Sequence, residues 1–272
     1  MHLAPTKKLN NGLEIPVIGF GTWKVKGASV IEPIKIALEA GYRHIDTAKI
    51  YGNEKEVGEA IKASGLPREE IFITTKLWNL DQGYESGKKA LEKSLKELGL
   101  EYVNLYLIHW PETGFRKDSW RALEEIYKSG KAKAIGVSNY TIRHLEEMKE
   151  YANLTPAVNQ VEFHPFLYQK ELLEYCEGRG IQLEAYSPLM HGERMNNQTI
   201  TNIANKHNKS NAQVLIRWSI QHSNVVLPKS TTPERITENI NVFDFELLES
   251  DMRALDGLNE NYRTCWDPSE LK

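Results

Sequence analysis

Short apolar runs of strand type alternate with amphipathic helical stretches along almost the whole chain, and this alternation limits the fold more than any single motif. Strands are expected at residues 15–21, 42–46, 71–76, 103–109, 134–138, 157–161, 181–186 and 225–227. Helical spacing fills the gaps. Ile31, Ile34 and Leu38 share a face that stops at Gly41, Leu91, Leu95 and Leu98 stop at Gly99, and Trp120, Leu123, Ile126 and Tyr127 stop at Gly130. Leu145 and Met148 follow a Thr141 start, and Leu172, Leu173 and Cys176 precede Gly180. Ser210 with Gln213 caps a helix over 211–221, and Thr232-Pro233 opens the last one. Eight strands alternating with helices over roughly 250 residues is what a (β/α)8 barrel requires. An open doubly wound sheet is the alternative, weakened because no G-x-G-x-x-G follows an expected strand. An Asn11-Gly12 turn between short apolar segments adds an N-terminal β-hairpin. No linker, low-complexity run or solenoid-length repeat intervenes, so residues 1–272 are expected to form one barrel domain.

Bulk properties exclude several roles. A net charge of −3 gives no basic excess for nucleic acid. The longest apolar runs, such as 103–110, are too short to cross a bilayer, and the opening MHLAPTKKL lacks the apolar core of a secretory leader. Two cysteines, Cys176 and Cys265, point to a reducing, cytoplasmic setting rather than to a disulfide framework or a zinc site. No HExxH and no paired cysteines with zinc spacing occur, so no metal is expected.

Chemistry gathers at the carboxyl ends of the expected strands, the catalytic face of such a barrel. The stretch 41–58, GYRHIDTAKIYGNEKEVG, ends its strand on Asp46 and sets Tyr51 in the following loop. A helix starts near Asn53, where Asn53 and Glu56 match a capping box and Val57, Ala60 and Ile61 make an apolar stripe. Further strands end in Lys76, in His109, in Ser138 and Asn139, in Gln160, in Tyr186 and Ser187, and in Lys229 and Ser230. Taken singly, each has an ordinary structural explanation. Together, Asp46, Tyr51, Lys76 and His109 make chemical sense. A free phenol, with a pKa near 10, is a poor acid at neutral pH, and an adjacent ammonium such as Lys76 lowers that value. Asp46 would hold Lys76, and His109 would bind a substrate oxygen. Such a site can protonate an alkoxide but cannot supply hydride, so a redox cofactor is implied.

Three stretches resemble the aldo-keto reductase superfamily: GYRHIDTAKIYGNEKEVG at 41–58, AIGVSNY at 134–140 and LPKSTTPERITENINV at 227–242. KLWN at 76–79, LIHWP at 107–111, VNQVEFHP at 158–165 and EAYSPL at 184–189 match in order between them. The likeness covers nearly the whole chain and is nearest to the compact prokaryotic diketogluconate reductase and prostaglandin F synthase-like group. It implies a tetrad of Asp46, Tyr51, Lys76 and His109, with Tyr51 as general acid for reduction of an aldehyde or ketone by NADPH. It also implies a nicotinamide stacked on Tyr186, with its carboxamide held by Ser138, Asn139 and Gln160. Thr22, Ser187, Pro188 and Leu189 would line the cofactor path. Lys229, Ser230, Thr231 and Arg235 would grip the adenosine 2′-phosphate, and Glu238 and Asn239 would meet the adenine. Trp23, Trp78 and Trp110 would wall an apolar substrate pocket, although each by itself equally suits ordinary packing. Glu162 and Glu184 are expected as interior or rim carboxylates paired with Arg or Lys. The resemblance implies a monomer. Its rivals are a dehydrogenase working mainly on alcohols and a non-catalytic binding protein on the same barrel, and the intact tetrad argues against the second.

Two departures bear on substrate choice. Only residues 190–198 separate the Ser-Pro-Leu turn from the next helix, a connection expected to be too short to wrap a bound dinucleotide. The tail after Leu258 is also short, NENYRTCWDPSELK.

Overall fold

A computed structural model describes residues 3–271. Strands β1 (Thr6–Lys8) and β2 (Glu14–Pro16) form the antiparallel hairpin. Leu9 and Ile15 from this hairpin pack against Phe72, Leu105, Leu107, Ala134, Val158 and Val225, which plugs the amino-terminal end of the barrel.

Eight parallel strands follow: β3 (Phe20–Gly21), β4 (His44–Asp46), β5 (Phe72–Leu77), β6 (Val103–Ile108), β7 (Ala132–Ser138), β8 (Val158–Glu162), β9 (Gln182–Tyr186) and β10 (Val225–Leu227). Each pairs with the next in sequence order. The ring closes where Ile18 bridges Val226 in parallel, with Gly19 N donating to Val226 O at 2.8 Å and Val226 N to Val17 O at 3.0 Å. The result is a (β/α)8 barrel. The expected first strand, 15–21, is divided between hairpin and barrel. Pro16 closes the hairpin, and Gly19 lies where a Cβ would come within 2.6 Å of His44 Nδ1 and 2.7 Å of Leu227 Cδ2. Only a residue without a side chain lets the closing strands approach so closely.

The crossovers are α1 (Ile31–Ala40), α2 (Glu54–Ala63), α3 (Tyr84–Leu98), α4 (Arg116–Lys128), α5 (Ile142–Met148), α6 (Lys170–Glu177) and the pair α7 (Gln198–His207) and α8 (Asn211–Gln221). After β10 come α9 (Pro233–Ile240) and α10 (Glu249–Asp256). Local signals account for their ends. Gly41 terminates α1 with φ 109°, Ser210 and Gln213 make a reciprocal capping box, and Pro233 occupies the first turn of α9. The buried stripe of α2 is Val57, Ala60 and Ile61, as periodicity requires.

Asn53 departs from expectation. It makes no capping bond. Its side chain is fully buried, donating to Thr22 O at 3.1 Å and Val25 O at 2.9 Å and accepting from Thr47 Oγ1 at 2.7 Å. The loop after β3 presents backbone carbonyls and the loop after β4 a hydroxyl, and satisfying them outweighs one helix cap.

Candidate active site

The end of β3 fixes the end of β4. Thr22 is buried, and both its N–H (3.1 Å) and its Oγ1 (2.9 Å) donate to Asp46 O. The Asp46 carboxylate then faces Lys76 from β5. Lys76 Nζ donates to Asp46 Oδ1 at 2.7 Å, Asp46 Oδ2 at 2.8 Å and Thr47 O at 3.0 Å, and lies 3.4 Å from Tyr51 Oη. Burial by itself lowers the Lys76 ammonium, but Asp46 and Tyr51 outweigh it and hold the group above its usual range.

Tyr51 ends a short 3-10 turn, Lys49–Tyr51. Part of the residue reaches solvent, yet its hydroxyl is enclosed. Burial pushes the phenol up to about 12, assisted by Asp46 and opposed by Lys76. The ammonium therefore moderates the rise without producing the net lowering expected from the sequence, because desolvation of a phenolate is the larger effect. His109 stands edge-on to Tyr51, ring centroids 5.9 Å apart, and edge-on to Trp78 at 5.3 Å. Burial and Lys76 drive its pKa well down, so the imidazole is neutral, and its Nδ1 is buried without a partner.

Ser138, Asn139 and Gln160 converge beside this group at the ends of β7 and β8, and they are wired to one another. Ser138 Oγ donates to Gln160 O at 2.8 Å. Asn139, held at φ 64°, donates through Nδ2 to His109 O at 3.0 Å and Ser138 Oγ at 3.2 Å, while its Oδ1 accepts from Tyr186 Oη at 2.8 Å. Gln160 Nε2 donates to Asp46 Oδ2 at 2.9 Å and to Glu184 Oε2 at 2.7 Å. Every side-chain proton of the three is thus used inside the fold, and only acceptor positions remain for an incoming group.

The rim beyond β10 is open. Lys229, Thr231 and Arg235 are exposed at the amino-terminal end of α9, and among the described residues neither Lys229 nor Arg235 has an ion pair. Ser230 Oγ accepts from Thr232 N at 3.1 Å. Two free cations beside a helix amino terminus match a phosphate. Glu238 accepts a hydrogen bond from Ser210 Oγ and Asn239 is buried, so both are partly committed to the fold.

The model of the aldo/keto reductase family matches residues 17–260. The chain belongs to the aldo/keto reductase family. It is 56% identical over 270 residues to the glyoxal reductase of Bacillus subtilis (strain 168), covering 99% of this chain and 98% of that one. An aldo-keto reductase from a Medee basin deep-sea metagenome library superposes with a TM-score of 0.95 at 50% identity, covering 98% of this chain and 99% of the other. The Bombyx mori aldo-keto reductase in complex with NADP superposes with a TM-score of 0.93 at 35% identity, covering 97% and 96%. The chain is therefore an oxidoreductase of a family that reduces carbonyl groups and uses NADP(H).

Around the mouth of this aldo/keto reductase, Trp23 is 39% exposed, Trp78 half-buried and Trp110 buried. Ser187 is held at φ 49°, Pro188 is buried and Leu189 half-buried. Residues that the sequence did not mark join the loop after β9 to the tail. Arg194 pairs with Glu260 and lies over the Tyr262 ring, whose hydroxyl donates to Glu193. His191 Nε2 is 3.6 Å from Cys265 Sγ, and the His191 ring meets Trp23 at 5.4 Å. The loop after β9 thus touches both Trp23 in the loop after β3 and the tail. Glu162 also departs from expectation. It accepts from His164 Nε2, from Thr264 N at 2.7 Å and Oγ1, and from Cys265 N, and so anchors the tail rather than pairing with Arg or Lys. Trp266 follows that anchor and leans on Trp110, with centroids 5.8 Å apart. Among the described residues Glu184 forms no ion pair with Arg or Lys; it accepts from Gln160 at 2.7 Å, with His44 Nε2 at 3.7 Å.

Proposed function

We propose that this chain is an NADPH-dependent carbonyl reductase with Tyr51 as its general acid. The observation that carries the reading is the Asp46–Lys76–Tyr51 contact chain, in which both carboxylate oxygens hold an ammonium 3.4 Å from the phenol. Bound NADPH supplies the hydride. His109, kept neutral, hydrogen-bonds the substrate oxygen and sets it against Tyr51. The phenol delivers its proton there, and Lys76 stabilises the phenolate that remains. Tyr186 offers a ring face to the nicotinamide, and Ser138, Asn139 and Gln160 accept from its carboxamide. Thr22 and the turn Ser187, Pro188 and Leu189 line the path to the rim. Lys229, Ser230, Thr231 and Arg235 take the 2′-phosphate, with Glu238 and Asn239 near the adenine.

Small aldehydes and α-dicarbonyls such as methylglyoxal are the favoured substrates, with keto-sugars as a further class. The relation to a glyoxal reductase supports the dicarbonyls. Trp23, Trp78 and Trp110 supply an apolar wall that suits small uncharged carbonyls. A cytoplasmic monomer, one barrel domain with its site at the strand carboxyl ends, completes the reading. The test is NADPH consumption with a panel of aldehydes, dicarbonyls and keto-sugars. Turnover fastest on small dicarbonyls supports it. Tight NADPH binding without turnover of any carbonyl would leave a binding protein instead.

A further inference from the structure

Glu184 stands in the middle of β9 with its side chain wholly buried in the barrel. An apolar residue would fill that position at lower cost, since a buried carboxyl must be neutralised or hydrogen-bonded. Burial and the nearby Asp46 push it up to about 8. The charged and titratable groups facing it are His44 and Asp46 from β4 and Lys76 from β5. Burial and Lys76 lower His44 to about 3, so no imidazolium pairs with it near neutral pH. The hydrogen bond Glu184 does make is the one it accepts from Gln160, at 2.7 Å.

We propose that Glu184 is a positioning residue for the dinucleotide, acting through Gln160. The Gln160 amide has two protons. Asp46 takes one at 2.9 Å and Glu184 the other at 2.7 Å. Turned over, the amide would set its oxygen against Asp46 Oδ2, which already accepts from Lys76 Nζ at 2.8 Å. The two acids therefore fix the amide so that Gln160 meets a ligand with its oxygen alone. Ser138 and Asn139 have already spent their protons. The three together recognise a group that donates, such as the NH₂ of a primary carboxamide. An acetyl group in the same place has no proton to give. The inference rests on the reading that these residues face the nicotinamide.

The test compares NADP⁺ with its 3-acetylpyridine analogue, binding measured by quenching of Trp fluorescence, in the wild type, Glu184→Met and Glu184→Gln. The wild type is expected to bind NADP⁺ about tenfold more tightly than the analogue, the worth of a well-made hydrogen bond. Glu184→Met should lose most of that preference through weaker NADP⁺ binding. Glu184→Gln, whose amide oxygen can still accept from Gln160, should keep it. A wild type that binds both compounds alike overturns the proposal without any variant. A folded Glu184→Met that keeps the full preference overturns it too, whatever its melting temperature. Because only binding is read, failure to reduce carbonyls would count against the proposed function and leave this inference standing.

Discussion

The floor of the mouth and its outer rim are built on opposite plans. Asp46, Lys76, Gln160 and Glu184 are buried and bonded to one another. Lys229 and Arg235 are exposed and, among the described residues, form no ion pair. A buried charge must be partnered at all times, whereas an exposed one stays solvated until an anion arrives. The floor is therefore ready before binding, and the rim acts on binding. Loss of Asp46 or Lys76 from the floor should cost turnover, and loss of a rim residue should cost affinity.

The largest expected break is Lys76→Met. Turnover should fall by about two to four decades, the usual span for a placed proton-transfer group. The pH profile sharpens the reason. Lys76 lowers a phenol that burial raises, so its removal pushes Tyr51 further up and further from ionising. Reduction needs the phenol, and alcohol oxidation needs the phenolate. Oxidation should lose more than reduction, and its rise with pH should shift to higher pH. An oxidation profile that keeps its wild-type limb would break the Asp–Lys–Tyr coupling. Asp46→Asn, which acts through Lys76, should do less.

A smaller effect of another kind is expected at the rim. Arg235→Ala should weaken NADPH by about one to two decades in Kd and leave NADH nearly unchanged, because only NADPH carries the 2′-phosphate. Equal losses for both cofactors would make Arg235 structural and erase the contrast between rim and floor.

The clasp between loop and tail should give the smallest effect. Arg194 and Glu260 form a solvent-exposed ion pair, which contributes little. Arg194→Ala should therefore speed NADPH release only about two- to fivefold, as read by stopped-flow Trp quenching. An unchanged release rate would mean that the clasp does not govern cofactor exit.

How much of this could be seen in the sequence depended on the range of the interaction. Strands β4 to β10 were legible because apolar runs punctuated by Gly and Pro are local signals, and the capped starts at Ser210 and Thr232 are local as well. The strand-end positions of Asp46, Lys76 and His109 follow from the same local reading. The clasp was not legible, because Glu162 and Thr264 lie 102 positions apart and no periodicity links them. Asn53 differs from its sequence pattern for a related reason. Its sequence neighbours suit a cap, but its partners belong to the loops after β3 and β4. The direction of the Tyr51 shift was also hidden, since a list of neighbouring charges carries no measure of desolvation.

The central claim is that Tyr51 gives the proton and contributes little to holding the cofactor. Tyr51→Phe tests both halves in one preparation, with kcat on a small aldehyde and Kd for NADPH by fluorescence quenching. The account predicts a kcat lower by about two to four decades and a Kd within about twofold of wild type. Turnover at the wild-type rate in a variant that lacks the hydroxyl would contradict it.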